Sequence, residues 1–304
     1  MASLPFFLCA LLTFSSISFH GISAVNFEVI NLNPQHAGAI KFEKIIGGVP
    51  FTKKLMAQIN QYIWSNILKQ NTAADQKPHT TVTLFIKDFI GGEAITWGDN
   101  YKYINVSAVY LRDYNGPMEL KWEFISLLHH EMTHVFQWNG EGKTPIPLVE
   151  GIADYTILKA NYFPPGFMKP GAGDKWDQGY DYTARFLEYC DGLVPDFVAK
   201  LNKMMRKTYD VSFFKNITGK PVEKLWADYK AKYAKKAVEE IQGPIEKSNL
   251  VIKELVKEND EEKERLNGVI AGLLAKKEKD KVDKDVMLNR MSQIEAMLTA
   301  MVQR

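Results

Sequence analysis

The residues best suited to chemistry are two histidines and a glutamate in the segment 129–134 (HHEMTH). Histidines four positions apart lie one turn apart on the same face of a helix, so His130 and His134 can direct two imidazole nitrogens at one metal ion. Glu131 lies beside them. In such a site, zinc polarises a bound water and a substrate carbonyl, and the carboxylate moves a proton from the water to the leaving amine. The motif therefore predicts metal-assisted hydrolysis of peptide bonds.

A catalytic zinc needs a third protein ligand and an open coordination position. The metzincin pattern is absent, because Gln137 and Gly140 stand where it requires glycine and then histidine or aspartate. Downstream, Glu150 and Asp154 are one helical turn apart. We predict that Glu150 is the third zinc ligand and that Asp154 accepts the free ring N–H of a ligand histidine and so fixes its tautomer. The reverse assignment stays open at this stage, as does an acidic helix face with no metal role.

Hydrolysis through a tetrahedral intermediate also needs a hydrogen-bond donor for the oxyanion. Tyr180, Tyr182 and Arg185 are candidates within the segment 179–185 (GYDYTAR). We select Tyr180 as the catalytic donor, and the alternative is that these side chains pack beneath the following helix. His129 points to another face of its helix, so we expect it to be exposed or to support the site from outside the ligand shell.

Local periodicity indicates which elements position these residues. Alternation over 26–31 predicts a strand, and helical spacing begins at Thr52. Residues 82–86 and 103–111 read as two more strands because they alternate or are rich in β-branched and aromatic side chains. From Met118 onward, apolar residues recur every three to four positions, so the metal-binding motif is predicted to lie on a helix.

The later segments are predicted to be helical. One helix is expected over 149–159, and another over 182–209 with a break near Gly192 and Pro195. Strands followed by helices predict an α+β domain with an N-terminal mixed sheet and an active-site helix. We further expect 103–111 to be an edge strand above that helix, where an extended peptide substrate could pair with it.

The two ends of the chain differ from its centre. Residues 1–24 carry an apolar run that ends in small residues, which predicts a secretory signal peptide. The run is shorter than the roughly 20 apolar residues that cross a bilayer, so we expect a secreted protein with no membrane span. Residues 25–234 are assigned to the catalytic domain, and residues 235–304 to a tail.

The tail is rich in both signs of charge and contains no aromatic residue. We predict that it is helical, partly a coiled coil, and begins after Gly243 and Pro244. Self-association through the tail and a solvated helix with no partner are both open hypotheses, and the tail could itself be the working scaffold. Eight apolar residues share one heptad phase: Leu266, Ile270, Leu273, Met287, Met291, Ile294, Leu298 and Met301.

The overall charge argues against one class of partner. The chain carries 38 basic and 36 acidic residues, for a net charge of +2, and the two signs are interspersed. Binding to nucleic acid needs a concentrated basic face that neutralises phosphates. We therefore expect a peptide or protein substrate and no nucleic acid.

Three segments resemble the plant basic secretory protein family: 129–142 (HHEMTHVFQWNGEG), 147–155 (PLVEGIADY) and 176–189 (WDQGYDYTARFLEY). The resemblance covers 25–234, and the tail departs from it. It implies a zincin-like protein with zinc peptidase activity and a defence-associated, pathogenesis-related role in the apoplast or cell wall. Glu150 as the third ligand would make the site one of the gluzincin type. A non-catalytic defence protein that binds metal or a microbial ligand is the alternative. Glu131 favours the enzyme, because a purely structural zinc site is usually closed by four protein ligands.

Overall fold

The computed structural model describes residues 25–99 and 102–302. The chain divides between Ala234 and Lys235 into two compact units. The first unit combines a small sheet with several helices, and the second is helical. The predicted α+β class is therefore confirmed, together with a helical C-terminal segment. The predicted signal peptide, residues 1–24, lies outside the described residues.

A four-stranded mixed sheet forms one layer of the first unit. Its order is β1-β2-β4-β3, in which β1 and β4 run parallel to β2 and β3 runs antiparallel to β4. The central strand β2 is buried on most positions, whereas β1 alternates between buried and exposed ones. The strands are β1 Asn26–Asn31, β2 Thr81–Lys87, β3 Ala94–Trp97 and β4 Tyr103–Ser107.

Helices supply the rest of the described fold. The first two each continue into a π-helical turn, Phe42–Ile46 after α1 and Ile63–Ile67 after α2. The predicted break near Gly192 and Pro195 is confirmed, because it separates α6 from α7. The helices are α1 Ala37–Lys41, α2 Gly48–Tyr62, α3 Ala108–Asp113, α4 Leu120–Phe136, α5 Ile146–Lys159, α6 Tyr180–Leu193, α7 Phe197–Met204, α8 Ser212–Thr218 and α9 Val222–Val302.

The prediction of an edge strand over 103–111 is wrong in two respects. The strand ends at Ser107, whose side chain accepts a hydrogen bond from the Tyr110 amide at 3.1 Å and so caps α3. Strand β4 is also paired on both sides, by β2 and β3. The edge beside the motif helix is β3, a four-residue strand that is too short to stand out by its periodicity.

The predicted start of the tail helix is also wrong. Helix α9 begins at Val222, directly after Pro221, and continues through Pro244. A proline at the start of a helix costs little, because its missing amide hydrogen would have no partner there. The segment before Gly243 is rich in lysine, glutamate and alanine, which are good helix formers, and this explains why the helix begins before Pro244.

Helix α4 is fixed by a buried stripe on the face that meets the core. Phe124, Leu128, Met132 and Phe136 recur every four residues, and each is at most 1% exposed. Aromatic contacts hold both ends of this stripe: Phe42 packs on Phe124 at 5.8 Å and Trp64 on Phe136 at 5.4 Å between ring centroids. The motif histidines are offset from this stripe, so burial of one face directs them away from the core.

Helices α5 and α6 approach each other closely at Gly151. A Cβ built at this position would lie 2.3 Å from Cγ2 and 2.5 Å from Cβ of Thr183. Only glycine therefore fits without moving a backbone element. Thr183 is itself held, since its hydroxyl donates to the Trp176 carbonyl at 3.0 Å and accepts from the Gly179 amide at 2.9 Å.

We expect Gly151→Ala to destabilise the protein by about 1–3 kcal/mol, because the added methyl group overpacks a fully occupied contact. The matched control is Gly192→Ala in α6, where an added Cβ would have no heavy atom within 4 Å. Alanine should leave stability unchanged or raise it there, since glycine is a poor helix former. The measurement is urea unfolding of both variants, and equal stabilities would contradict the close-approach argument.

Candidate metal centre

The two motif histidines present their Nε2 atoms to the same point. His130 and His134 lie one turn apart on α4, and their Nε2 atoms are 3.0 Å from each other. Their rings are nearly perpendicular, with centroids 4.7 Å apart. This is the arrangement that the spacing of the motif predicted for a helix.

Helix α5 brings a carboxylate to the histidine pair. Oε2 of Glu150 lies 3.1 Å from Nε2 of His130 and 3.5 Å from Nε2 of His134. One ligand atom from each of these three residues lies within 4.8 Å of the others, so they could hold a metal ion. His130, His134 and Glu150 are called the metal group below.

Asp154 meets the opposite side of the His130 ring. Its Oδ1 lies 2.7 Å from Nδ1 of His130, whereas Glu150 lies against Nε2. An acceptor at Nδ1 keeps the proton on that nitrogen and leaves Nε2 free to bind a metal. The geometry therefore favours Glu150 over Asp154 as the third ligand, which is the first of the two assignments considered from the sequence.

The charges in this group are mutually dependent. Burial alone would lower the pKa of His130, but the hydrogen bonds to Asp154 and Glu150 raise the pKa to about 10. Burial would likewise raise the pKa of Glu150, but the hydrogen bonds to His130 and His134 hold it well below its usual range. The two carboxylates therefore stabilise positive charge at this point, whether it is carried by a proton or by a metal ion.

Glu131 is held by a residue that the sequence did not identify. The Thr96 hydroxyl on β3 donates to Oε2 of the Glu131 carboxylate at 2.5 Å. Glu131 is 5% exposed and lines the cleft described below. Because β3 was not predicted as a strand, no sequence signal pointed to Thr96.

A second unpredicted residue, Gln137, contacts the outer nitrogen of His134. Nε2 of the Gln137 amide lies 2.7 Å from Nδ1 of His134 and 3.1 Å from the Val149 carbonyl oxygen. The other amide atom, Oε1, is buried without a hydrogen-bond partner. The two ends of an amide are assigned from their surroundings. A His134 that binds metal through Nε2 would carry its proton on Nδ1 and would need an acceptor there. Turning the amide would supply Oε1 as that acceptor, at the cost of the hydrogen bond to the Val149 carbonyl.

The loop between α4 and α5 is anchored by contacts to α7 and its end. The Trp138 amide donates to Oδ1 of Asn202 at 2.7 Å, and the Gly140 amide donates to the Met205 carbonyl at 2.6 Å. Gly140 has a φ of +65°, and an added Cβ would lie 2.8 Å from the Thr208 carbonyl carbon. This turn returns the chain to the metal group.

Tyr180, the predicted oxyanion donor, stacks on His130 at 6.2 Å between ring centroids with the rings 15° apart. It is 56% exposed and opens α6 with a φ of +44°, a backbone conformation that is costly for a residue with a side chain. The negative charge of Glu150, and then burial, raise the pKa of its hydroxyl. The strained backbone aims the ring at the metal group.

The other two donor candidates, Tyr182 and Arg185, make contacts away from the metal group. The Arg185 guanidinium donates to the Met168 carbonyl at 2.7 Å and stacks over Phe167, so it braces a loop. Tyr182 packs against the loop at Gly173 and does not line the cleft.

His129 faces away from the metal group. It is 6% exposed, and its Nδ1 lies 2.8 Å from the Ile125 carbonyl oxygen. Its ring stacks on Tyr162 at 5.1 Å. Burial lowers the pKa of His129. This histidine is therefore a packing residue, and the expectation that it would be exposed or support the ligands is wrong.

The metal group opens into a cleft of about 1100 Å³. One wall is formed by residues 91–96, which include the first three residues of β3, and the other by residues 164–167 with Tyr180. Neither lysine nor arginine occurs among the described residues that line it. A long cleft with a strand on one wall is suited to an extended chain.

The fold and site thus define an α+β protein with a candidate metal centre in a cleft. A family model described as a peptidase of plants and bacteria, BSP, matches residues 22–229, and the chain belongs to this family. A basic secretory protease from Boswellia serrata is 42% identical over 59 residues, which is 19% of this chain and 67% of that protein. No solved structure matches the chain. The resemblance noted in the sequence is therefore confirmed.

We expect Gln137→Met to lower metal affinity about 10–100-fold while the fold is retained, because the acceptor for His134 Nδ1–H is lost. Gln137→Glu supplies an acceptor at the same position and should retain affinity. Both are measured by isothermal titration of zinc into metal-stripped protein. Loss of affinity in Gln137→Glu but not in Gln137→Met would show that the amide N–H is the group that matters.

Proposed function

We propose that this protein is a secreted zinc-dependent peptidase of the gluzincin type, in which His130, His134 and Glu150 bind zinc and Glu131 is the general base. The observation that carries the proposal is the convergence of these three ligand atoms beside the Glu131 carboxylate, in a cleft. Membership of a peptidase family supports the same reaction class.

The donor set fits zinc. Ligand atoms bound at about 2.0–2.1 Å in tetrahedral geometry are about 3.3 Å from one another. The three separations here are 3.0, 3.1 and 3.5 Å. Two imidazoles and one carboxylate suit zinc among the divalent ions, and three protein ligands leave a fourth position for water or substrate. The zincin-like assignment of the fold rests on this donor set and the HExxH motif.

When bound, zinc would polarise the attacking water and the substrate carbonyl. The Glu131 carboxylate takes the proton from that water and later delivers it to the leaving amine. The Thr96 hydroxyl, which donates to Glu131, orients the carboxylate. Asp154 holds the His130 ring, and the Tyr180 hydroxyl donates to the oxyanion of the tetrahedral intermediate.

The substrate is a peptide or protein in an extended conformation. Strand β3 is at the edge of the sheet, carries Thr96, and forms part of the cleft wall. An edge strand offers unpaired amide and carbonyl groups to a peptide that adds to the sheet. We therefore assign to Ala94–Trp97 the substrate-pairing role that the sequence had suggested for 103–111.

We infer an extracellular site of action, in the apoplast or cell wall, and a role in plant defence. The signal-like composition of residues 1–24 and the name of the Boswellia serrata relative support secretion. Among the described residues, none of the helices combines the length and apolar character that a membrane crossing requires. The defence role rests on the family resemblance.

We expect Glu131→Gln to retain one zinc per chain but to lower peptide hydrolysis about 10²–10⁴-fold, because the amide cannot accept the proton from water. The control is Glu119→Gln, an exposed residue just before α4, which should leave the rate unchanged. Metal content and cleavage of a peptide library are measured side by side. A wild-type protein that binds zinc and cleaves nothing would favour the non-catalytic binding protein, and full activity in Glu131→Gln would refute the assigned base.

We expect Tyr180→Phe to lower kcat about 10²–10³-fold with little change in KM, because the hydroxyl acts on charge that develops after substrate binding. Tyr182→Phe is the matched control, since this second tyrosine of the same segment lies outside the cleft lining. Steady-state kinetics on one cleaved peptide provide the comparison. Equal rates for both variants would remove Tyr180 from the mechanism.

A further inference from the structure

The second unit carries an apolar residue at almost every seventh position between 238 and 301, a set we call the tail column. Asn259 and Asp280 are its two polar members. Each of its apolar members is between 47% and 75% exposed within its own chain. The apolar members are Val238, Ile245, Ile252, Leu266, Leu273, Met287, Ile294 and Met301.

A seven-residue period has a physical meaning that an ordinary amphipathic pattern lacks. A straight helix has 3.6 residues per turn, so positions seven apart drift by about 20° per repeat. Between Val238 and Met301 the tail column would therefore rotate by about 180° around a straight helix. Its members face one neighbour along their whole length only if the helix winds around that neighbour in a left-handed supercoil.

Apolar residues flank the tail column at the spacing that completes a coiled-coil seam. In the first half these flanking residues follow members of the tail column by three positions. In the second half they precede members of the tail column by three positions. In both halves the seam positions are therefore separated by alternating steps of three and four residues. A charged stretch, residues 276–285, lies between two apolar stretches. The apolar flanking residues are Ile241, Leu255 and Val269 in the first half and Ile270, Met291 and Leu298 in the second; the remaining flanking positions are Ser248, Glu262, Lys277 and Lys284.

We propose that residues 238–301 form a parallel, two-stranded coiled coil with the same segment of a second copy of this chain. In such a pair, Glu258 faces Lys263 of the second copy and Arg290 faces Glu295 of the second copy. Both contacts join opposite charges, whereas the equivalent pair in the charged stretch, Lys276 and Lys281, carries like charges. Within the part of the chain that the structure describes, the ion pairs of the tail do not involve any of the four residues in the two opposite-charge contacts.

Asn259 specifies the same partner. An asparagine on an otherwise apolar seam favours two parallel chains in register, because each amide then meets its counterpart instead of a buried hydrocarbon surface. The buried amide lowers the stability of the pair but makes it selective for one partner. This self-association is independent of the proposed peptidase activity, since none of its residues lines the cleft.

The first test compares two neighbouring exposed residues on opposite faces of the tail. Ile252 belongs to the tail column and is 57% exposed, whereas Leu250 lies on the outer face and is 68% exposed. Sedimentation equilibrium of the full secreted chain should give twice the chain mass. Ile252→Glu should raise the dimer dissociation constant at least tenfold, and Leu250→Glu should leave it unchanged. A wild-type monomer, a larger oligomer, or equal effects of the two variants would overturn the proposal.

The second test reports orientation and register. Met301→Cys places a thiol on the last member of the tail column, and Cys190 cannot compete for it because it is fully buried. Two parallel chains in register bring the new thiols together, so mild oxidation should yield a disulfide-linked dimer that reduction reverses. An antiparallel pair, or a tail folded back on its own chain, would leave the variant unlinked and would overturn the parallel arrangement.

Discussion

The bridge that His130 makes between Asp154 and Glu150 is the interaction on which the arrangement of the site depends. It joins α4 to α5 through both nitrogens of one ring, at 2.7 and 3.1 Å. Buried charge of this kind is tolerated only when its partners are in place, because removing one partner leaves the others uncompensated. The two helices must therefore keep one relative position, and the same position brings Glu150 to His134.

That position is supported by packing outside the metal group. Gly151, next to Glu150 in sequence, lets α5 lie directly against Thr183 of α6. On the other side, the Gln137 amide lies 3.1 Å from the Val149 carbonyl oxygen and so connects the end of α4 to the start of α5. Small residues and buried polar contacts thus hold the candidate ligands in place, while the positive φ of Tyr180 turns one more side chain towards them. The packing of α4, α5 and α6 therefore determines the geometry of the candidate ligands.

Much of the candidate site follows from local spacing. His130 and His134 had to share a face because i and i+4 positions coincide on any helix. Glu150 and Asp154 could be selected by the same argument, although only the three-dimensional structure separates their contacts with the two ring nitrogens. The α+β class followed from the order of the periodic segments. The shared face of His130 and His134 could be inferred because it depends on residues within one helical turn.

The sequence by itself determined the motif helix, the candidate ligands, the family and the seven-residue period of the tail. The tertiary structure alone decided that Ala94–Trp97, and not Tyr103–Ser107, is the edge strand, and that Thr96 on it meets Glu131. It also decided that Gln137 lies against the outer nitrogen of His134. The strand order and the Thr96 contact join residues that are distant in sequence, and they depend on which surfaces the packed core leaves adjacent. Local periodicity carries no information about that choice, because it records only which face of each element is buried.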